Sequence, residues 1–518
     1  MKFLRFIKKN LKAVIMYAIL IIIIAFLLGQ KVNYYVDELV TYVFANEGTL
    51  APEDGVIYTP AGQPFVEAMS SKGLDIAKVW ENQAKDTHPP FYYLIVHIIC
   101  SVFRGRFSIL FAGIINIVFA VLTFYMYRKI IALSVNNGAL ETVMSVLFIL
   151  SPGILSNATF LRMYVMEMFF ITALAYLVLK GVEHFEIRDF ILIAATSVCG
   201  VLTHYYYLVF AFFISIIIVI IMLVEKRFKE TLWYVLSMAA AGGVSCLIFP
   251  AMTDHIFKRG RGAESFENFA NSDFTDQFGA YFKMLSIDLY GGILALILII
   301  AVLGTVVIIT DNSGRGEGKV FAGDKTRLLR YACLLVPSLC YVLIVSKSAP
   351  YQVDRYLYPV LAVALAGMMS LVFTMISVMF DERRTVVALG IVLSSVIIYL
   401  GFKGYDWPYL YLDDQETMSI VAETAPSFDA VVVYNEWWTV LPEYLQIEKC
   451  RSSSFCAINT PEEFVDKIAA NPAVTGGDDI VLFITSDMRD PCIDYFMQNY
   501  PQYELLDQIG YGFYFRAN

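Results

Sequence analysis

Five short clusters in this chain hold residue types that can grip or transfer a charged group. Asp37 and Glu38 stand together in YYVDELVTYVFA, and Asp86 and His88 stand in DTHPPFYYLIVH, followed by Pro89 and Pro90. Arg162 lies in FLRMYVMEMFF, His204 in THYYY, and Asp354 with Arg355 in PYQVDRYLYP. A carboxylate can take the proton of an attacking hydroxyl, and a guanidinium can hold two phosphate oxygens at once. An Asp–x–His pair can ligate a divalent cation or orient a phosphate. The paired prolines impose an extended approach, so Asp86 and His88 are expected at a fixed place just before a helix. Each cluster also has a plainer explanation. Acids suit the first turn of any helix, a turn often precedes a surface helix, and Tyr and Arg favour the lipid headgroup zone.

The elements that would position these residues are apolar. Of 518 residues, 58% are hydrophobic and 16% charged, with a mean hydropathy of +0.63. A soluble domain carries about 25% charged residues, so this chain has too few to cover a water-facing surface of its size. The excess lies in long runs: Ala13–Gly29, Phe107–Tyr127, Met163–Leu179, Tyr207–Val224, Leu232–Met252, Leu289–Ile309 and Leu357–Phe380. Each suffices for a helix to cross about 30 Å of hydrocarbon. Shorter runs at Ala139–Leu155, Phe190–Thr203, Leu329–Val345 and Val386–Phe402 bring the expectation to about eleven spans. The first run follows Lys2, Arg5, Lys8, Lys9 and Lys12 and has no small-residue cleavage site before Gln30, so it reads as an uncleaved span.

Lys and Arg set the orientation. With the N-terminus inside, the inner segments hold Arg128–Lys129, Lys180 and Arg188, Lys226, Arg227 and Lys229, Arg315 to Arg330, and Arg383–Arg384. Phe91–Phe103 is apolar but 13 residues long, and counting it as a span would invert every later loop. It is expected as a helix lying on the outer interface. The outer face then receives 30–103, 253–288 and the tail from 403, and all five polar clusters fall on that face. The inner face receives the Gly- and Lys-rich connector Asp311–Arg327. The net charge of −9 says little across two compartments, and no basic stripe interleaved with aromatics points to nucleic acid.

The tail changes character. β-rich runs at Ala430–Tyr434, Ile480–Thr485 and Tyr511–Arg516 alternate with helical stretches at Pro461–Ala470 and Pro491–Asn499. That predicts a small α/β domain. The expected organisation is a membrane module over 1–402 and an extracytoplasmic domain over 403–518. Cys450 and Cys456 are spaced for a disulfide, with Cys492 left over. Asn157–Ala158–Thr159 reads as a glycosylation sequon, of consequence only in a eukaryotic secretory membrane.

The order of motifs resembles the GT-C fold membrane glycosyltransferases, specifically the protein O-mannosyltransferase and aminoarabinose transferase-like group. An acidic pair follows the first span, then Asp–x–His–Pro–Pro, Arg–Met–Tyr, His–Tyr and Arg–Tyr–Leu–x–Pro, over roughly Tyr34 to Pro359. The resemblance implies an inverting hexosyl- or pentosyltransferase that moves a sugar from a polyprenyl-phosphate donor to a glycan, lipid or protein acceptor outside a plasma membrane of bacterial type. It implies Asp37 as the base, with Glu38 supporting it or positioning the acceptor. Asp86 and His88 would border the donor, and Arg162, His204 and Arg355 would grip its phosphate. Many relatives carry an acid shortly before Arg–Met–Tyr where this chain has Ala158–Thr159–Phe160–Leu161. The resemblance therefore fixes no metal, and a divalent cation stays open. The rivals are a transporter or flippase of lipid-linked sugars, which would place charges near the bilayer midplane, and a non-catalytic receptor. Glu167, a few residues into a span, is the nearest approach to the transporter pattern.

Overall fold

The computed structural model describes residues 11–135, 137–258, 260–271, 274–310, 325–380, 382–485 and 489–518. Lys2, Arg5, Lys8, Lys9 and most of the Asp311–Arg327 connector lie outside the described residues. Among the described residues, eight helices are long and apolar enough to cross a membrane, or up to ten if two bent pairs each make one span. The chain is an integral membrane protein, mostly helical, with one small sheet.

The expectation of about eleven spans differs from this count for identifiable reasons. Gly138–Ile149 and Pro152–Thr159 meet at 48°, because Pro152 opens the second helix with no N–H to continue the first. Thr275–Tyr290 and Leu294–Leu303 meet at 84°. Gly291 and Gly292 between them hold φ of 60° and 83°, a turn that glycine adopts without a Cβ penalty. The helix over the expected span Phe190–Thr203 is Ile187–Val201, 15 residues, or about 22 Å at 1.5 Å per residue. The Phe91–Val102 helix is 12 residues and likewise too short to span.

Two compact units divide the chain. The first comprises Met1–Phe26, Gln83–Tyr92 and Gly113–Asp406. At its centre, Tyr164–Gly181 and Tyr358–Met379 are each buried over 83% of their apolar window, against 17–50% for the other unbroken spans. The second comprises Leu27–Asn82, Tyr93–Ala112 and Trp407–Asn518. The unit that holds the tail thus also takes in most of the segment between the first two spans.

The second unit is built on six strands: β1 Ile57–Tyr58, β2 Asp429–Tyr434, β3 Ser452–Ala457, β4 Ile480–Ile484, β5 Tyr503–Ile509 and β6 Gly512–Ala517. Their order is β1-β3-β2-β4-β6-β5. β3, β2 and β4 run parallel, with Val431 level with Ser454 on one side and Leu482 on the other. β1 and β6 add antiparallel edges, and β5 pairs with β6. β2 and β4 are buried along their whole length, which is why both read as continuous apolar runs. Val431, Val433, Leu482, Phe464, Phe496 and Phe515 share the core between the sheet and its helices.

Three sequence expectations change here. Cys450 and Cys456 are both buried free thiols. Asn157 is wholly buried inside the Pro152–Thr159 helix, so its sequon is not presented to a modifying enzyme. Strand β3 was not expected, because SSSFCA lacks an apolar run. Its serines are buried yet satisfied: Ser452 Oγ donates to Asp429 at 2.7 Å and Ser453 Oγ to the Ala61 carbonyl at 2.7 Å.

Gly200 packs under the Tyr207 ring, where an added Cβ would come within 2.4 Å of ring carbons. Gly200→Val is expected to cost about 1–3 kcal/mol by overpacking and to lower the thermal unfolding temperature in detergent. Gly404→Ala, which meets nothing within 4 Å, should leave that temperature unchanged.

Candidate active site

In the helical unit, Asp86, His88, Arg162 and His204 come together although 118 positions separate the first from the last. Backbone contacts hold the contributing turns. The Phe91 N–H, just after Pro89–Pro90, donates to the Leu202 carbonyl at 2.9 Å, joining the Asp86–His88 turn to the His204 turn. Asn116 donates to the Phe160 carbonyl at 2.7 Å and accepts from the Tyr92 hydroxyl at 3.0 Å, so one buried amide fixes the turn that carries Arg162. The Arg162 N–H closes that turn on the Phe160 carbonyl at 2.7 Å.

The side chains form a directed chain. Asp86 Oδ2 lies 2.7 Å from His88 Nδ1, and His88 Nε2 lies 3.2 Å from Arg162 Nη2. A guanidinium only donates and an ionised carboxylate only accepts. His88 must then carry its proton on Nδ1, donate it to Asp86, and accept at Nε2 from Arg162. Burial pushes the His88 pKa below its ordinary 6.5, aided by Arg162 and His204 and opposed by Asp86. Burial acts to raise Asp86, but His88, the Thr87 backbone and Arg162 outweigh it and hold the carboxyl below its usual range. The imidazole is thus neutral near pH 7 and orients the guanidinium.

His204 stands beside this chain, its ring 6.3 Å from that of His88. Tyr164 and Tyr206 wall it at 5.4 and 5.2 Å. Its Nδ1 lies 3.2 Å from Glu167 Oε2, and Glu167 is wholly buried. Tyr206 leads on to Tyr356 at 5.7 Å, and the Arg355 guanidinium lies 5.6 Å from the Tyr356 ring centre. Buried Arg355 is therefore joined to the other four through the Tyr356 and Tyr206 rings in these contacts. Asp354 engages hydroxyls of neighbouring tyrosines. Its Oδ2 accepts from the Tyr358 hydroxyl at 2.6 Å and faces the Tyr405 hydroxyl at 3.5 Å.

Sequence reasoning gave little weight to two residues at this site and to a buried carboxylate elsewhere in the unit. Glu167 appeared only as a charge near a span end, although a buried intramembrane carboxylate is itself a functional indication. His255 accepts from the Tyr205 hydroxyl at 3.0 Å and donates to the Ala84 carbonyl at 3.4 Å, tying 253–288 to the Asp86 turn. Asp288 is buried, and Gly153 presses so close that a Cβ there would meet the Asp288 Cβ at 2.6 Å.

Asp37 and Glu38 belong to the other unit, in the first turn of helix Val36–Ala45. Glu38 is wholly buried, accepts from the Tyr35 N–H at 2.8 Å and pairs with buried Lys31 at 2.9 Å. Burial lowers the Lys31 pKa against the pull of Glu38. The Glu38 carboxylate is thus turned to protein partners that start the helix, while Asp37 beside it is partly exposed. Lys31 also donates to the Tyr409 carbonyl, and Val32 N–H to the Leu410 carbonyl at 2.9 Å, which fixes this turn to the tail.

Among the described residues no group of three or more His, Cys, Asp and Glu could hold a metal ion.

No protein-family model matches this chain, and no curated protein matches it. Solved structures do. Three of the Archaeoglobus fulgidus oligosaccharyltransferase align with it: one in complex with zinc and sulfate, one in the apo form, and one tethered to an acceptor peptide containing the NVT sequon. Identities are 12, 10 and 9%, and TM-scores 0.41, 0.42 and 0.42. The alignments cover 83–86% of this chain and 61–64% of those chains, so this chain spans a little over three fifths of their length. The likeness is loose.

The cluster makes a pH prediction. His88 and Asp86 both have pKa values lowered in the folded state, so the unfolded chain binds more protons as pH falls. The His88 contribution to stability is present above its ordinary value of 6.5 and is lost as pH falls through its lowered folded value, whereas the Asp86 contribution is lost only below the ordinary carboxyl value of 3.8. Thermal unfolding of the full chain in detergent should show a smaller loss between pH 7.5 and 5.5 in His88→Gln than in the native protein.

Proposed function

We propose that this chain is a glycosyltransferase that moves a sugar from a polyprenyl-phosphate donor to an acceptor on the outer face of a membrane. The observation that carries this reading is the Asp86–His88–Arg162 chain with His204 beside it. It is a guanidinium oriented by a neutral imidazole, which is itself oriented by a carboxylate, inside a largely apolar helical unit. An anion suited to such a guanidinium is a phosphate, which it can bind in two-pronged fashion. A lipid phosphate is the form of phosphate that an apolar helical unit would receive.

In this reading the acceptor hydroxyl oxygen attacks the anomeric carbon from the face opposite the phosphate. The carbon–oxygen bond to phosphate breaks, and the polyprenyl phosphate leaves with the bonding pair. Asp37 takes the hydroxyl proton, while Glu38 holds Asp37's turn rather than touching the acceptor. Arg162, His204 and Arg355 meet the charge that grows on the leaving phosphate.

The alternative is a transporter of the same lipid-linked sugars. Buried Glu167 beside His204 favours it, since intramembrane carboxylates also serve proton relays.

The test uses purified full-length protein with a panel of polyprenyl-phosphate sugars and envelope acceptors, read as release of polyprenyl phosphate. Native protein should turn over, and Asp37→Asn should lose roughly 10²–10⁴-fold in kcat with donor affinity retained. Arg162→Lys should weaken donor binding as well. Donor binding without any turnover would select the transporter.

A further inference from the structure

We propose that the carboxyl edge of the sheet in the second unit, at Asn435–Trp438 beside Thr485, is a binding site for a neutral glycan. In the transferase reading this glycan is the acceptor, and the inference rests on that reading for its role but not for its binding.

The topology marks the place. From β2 the chain passes to β3 on one side and then returns to β4 on the other. Connections from the carboxyl ends of β2 and β4 therefore leave in opposite directions. In an open parallel sheet such a reversal of strand order opens a crevice outside those ends, where ligands bind.

The residues at this reversal are arranged rather than loose. After β2 comes Asn435, whose side-chain oxygen accepts from the Glu436 N–H at 2.9 Å. Thr439 Oγ donates to the Glu436 carbonyl at 2.7 Å and meets Thr485 Oγ, just past β4, at 2.8 Å. The turn is thereby fastened across both strand ends. Trp437 is fixed as well, edge-on to Phe44 at 5.8 Å. What this frame presents to water is the Glu436 side chain and the Trp438 indole, 48% exposed.

The chemistry selects the ligand. A large flat indole offers an apolar platform with one N–H donor, suited to the C–H face of a pyranose ring. A carboxylate beside it accepts from hydroxyls and repels anions. Tyr434–Glu443 contains no Lys or Arg, and the nearby Arg489 guanidinium lies over the Phe513 ring at 4.8 Å. A ligand rich in hydroxyls and poor in negative charge fits this surface better than a phosphate or an acidic polymer does.

The same contacts link this edge to Asp37. Phe44, against which Trp437 rests, is on helix Val36–Ala45, and Asp37 is seven residues earlier, about 10 Å along the axis. A glycan held at Trp438 would be carried by the same unit as the proposed base.

The experiment is calorimetric titration of the full-length protein in detergent with a panel of soluble neutral tetrasaccharides of hexoses and N-acetylhexosamines. Native protein is expected to bind at least one of them saturably. Trp438→Ala should weaken that affinity roughly tenfold and Glu436→Gln several-fold. Because Glu436 is exposed, its variant keeps the test valid should Trp438→Ala misfold. Saturable binding by a protein that turns over no donor would uphold the site and remove the transferase reading. No binding of any panel member would overturn the proposal, as would equal binding by both variants.

Discussion

A charge enclosed by apolar helices is tolerable only when another group answers it, and the helical unit is organised around that constraint. Arg162 is 3% exposed at the end of the most buried part of the bundle. His88 answers it, and Asp86 answers His88, so three side chains from two distant turns are committed to one geometry. The rest of the local architecture serves to keep those turns in place. The prolines stop the chain from entering a helix early, the Phe91–Leu202 hydrogen bond closes the two turns on one another, and Asn116 spends its amide on the Arg162 turn. Removing any of these would not delete a charged group, but it would let the guanidinium move.

The second unit solves a different problem, which is to fix a short helix in the same unit as the six-stranded sheet. Helix Val36–Ala45 is ten residues long, and helices so short are marginal without tertiary support. Its support is polar at the start and aromatic at the end. Lys31 and Glu38 form a wholly buried pair under the first turn, and Phe44 meets Trp437. A buried ion pair is a poor source of net stability because both ions must be desolvated. Its retention here is better explained by what it places, since the residue between the pair's helix cap and open solvent is Asp37. The two-residue strand β1, drawn from the same segment, adds a further tie by pairing with β3.

Much of this was legible in the sequence, and the illegible parts share a cause. Membrane spans are read from length and apolarity, so the segments that cross could be placed, but the breaks at Pro152 and Gly291–Gly292 are decided by local geometry within apolar runs. Buried strands β2 and β4 announce themselves as Val- and Ile-rich runs. Strand β3 does not, because its serines are paid for by specific acceptors that lie far away in sequence. Strand β1 is set by its partner alone. At the candidate site the gathering of Asp86, His88, Arg162 and His204 was foreshadowed by motif order. The role of Glu38 as a helix anchor and the nearness of Glu167 to His204 depend on packing that no spacing encodes.

The division of labour between chemistry and placement follows from magnitudes. A carboxylate is a weak base towards a hydroxyl, so a base of this kind receives its proton late, when the new bond to the sugar is well formed. Its contribution is bounded at about 10²–10⁴-fold. Alignment of the acceptor with an already activated sugar phosphate is worth more, roughly 7–11 kcal/mol in favourable cases. A transferase built on these terms gains most from rigid elements that do not touch the reacting atoms. That is the kind of residue this chain sets behind its charged groups: Glu38, buried under the first turn of its helix, Asn116, buried behind Arg162, and half-buried Asp86 behind His88.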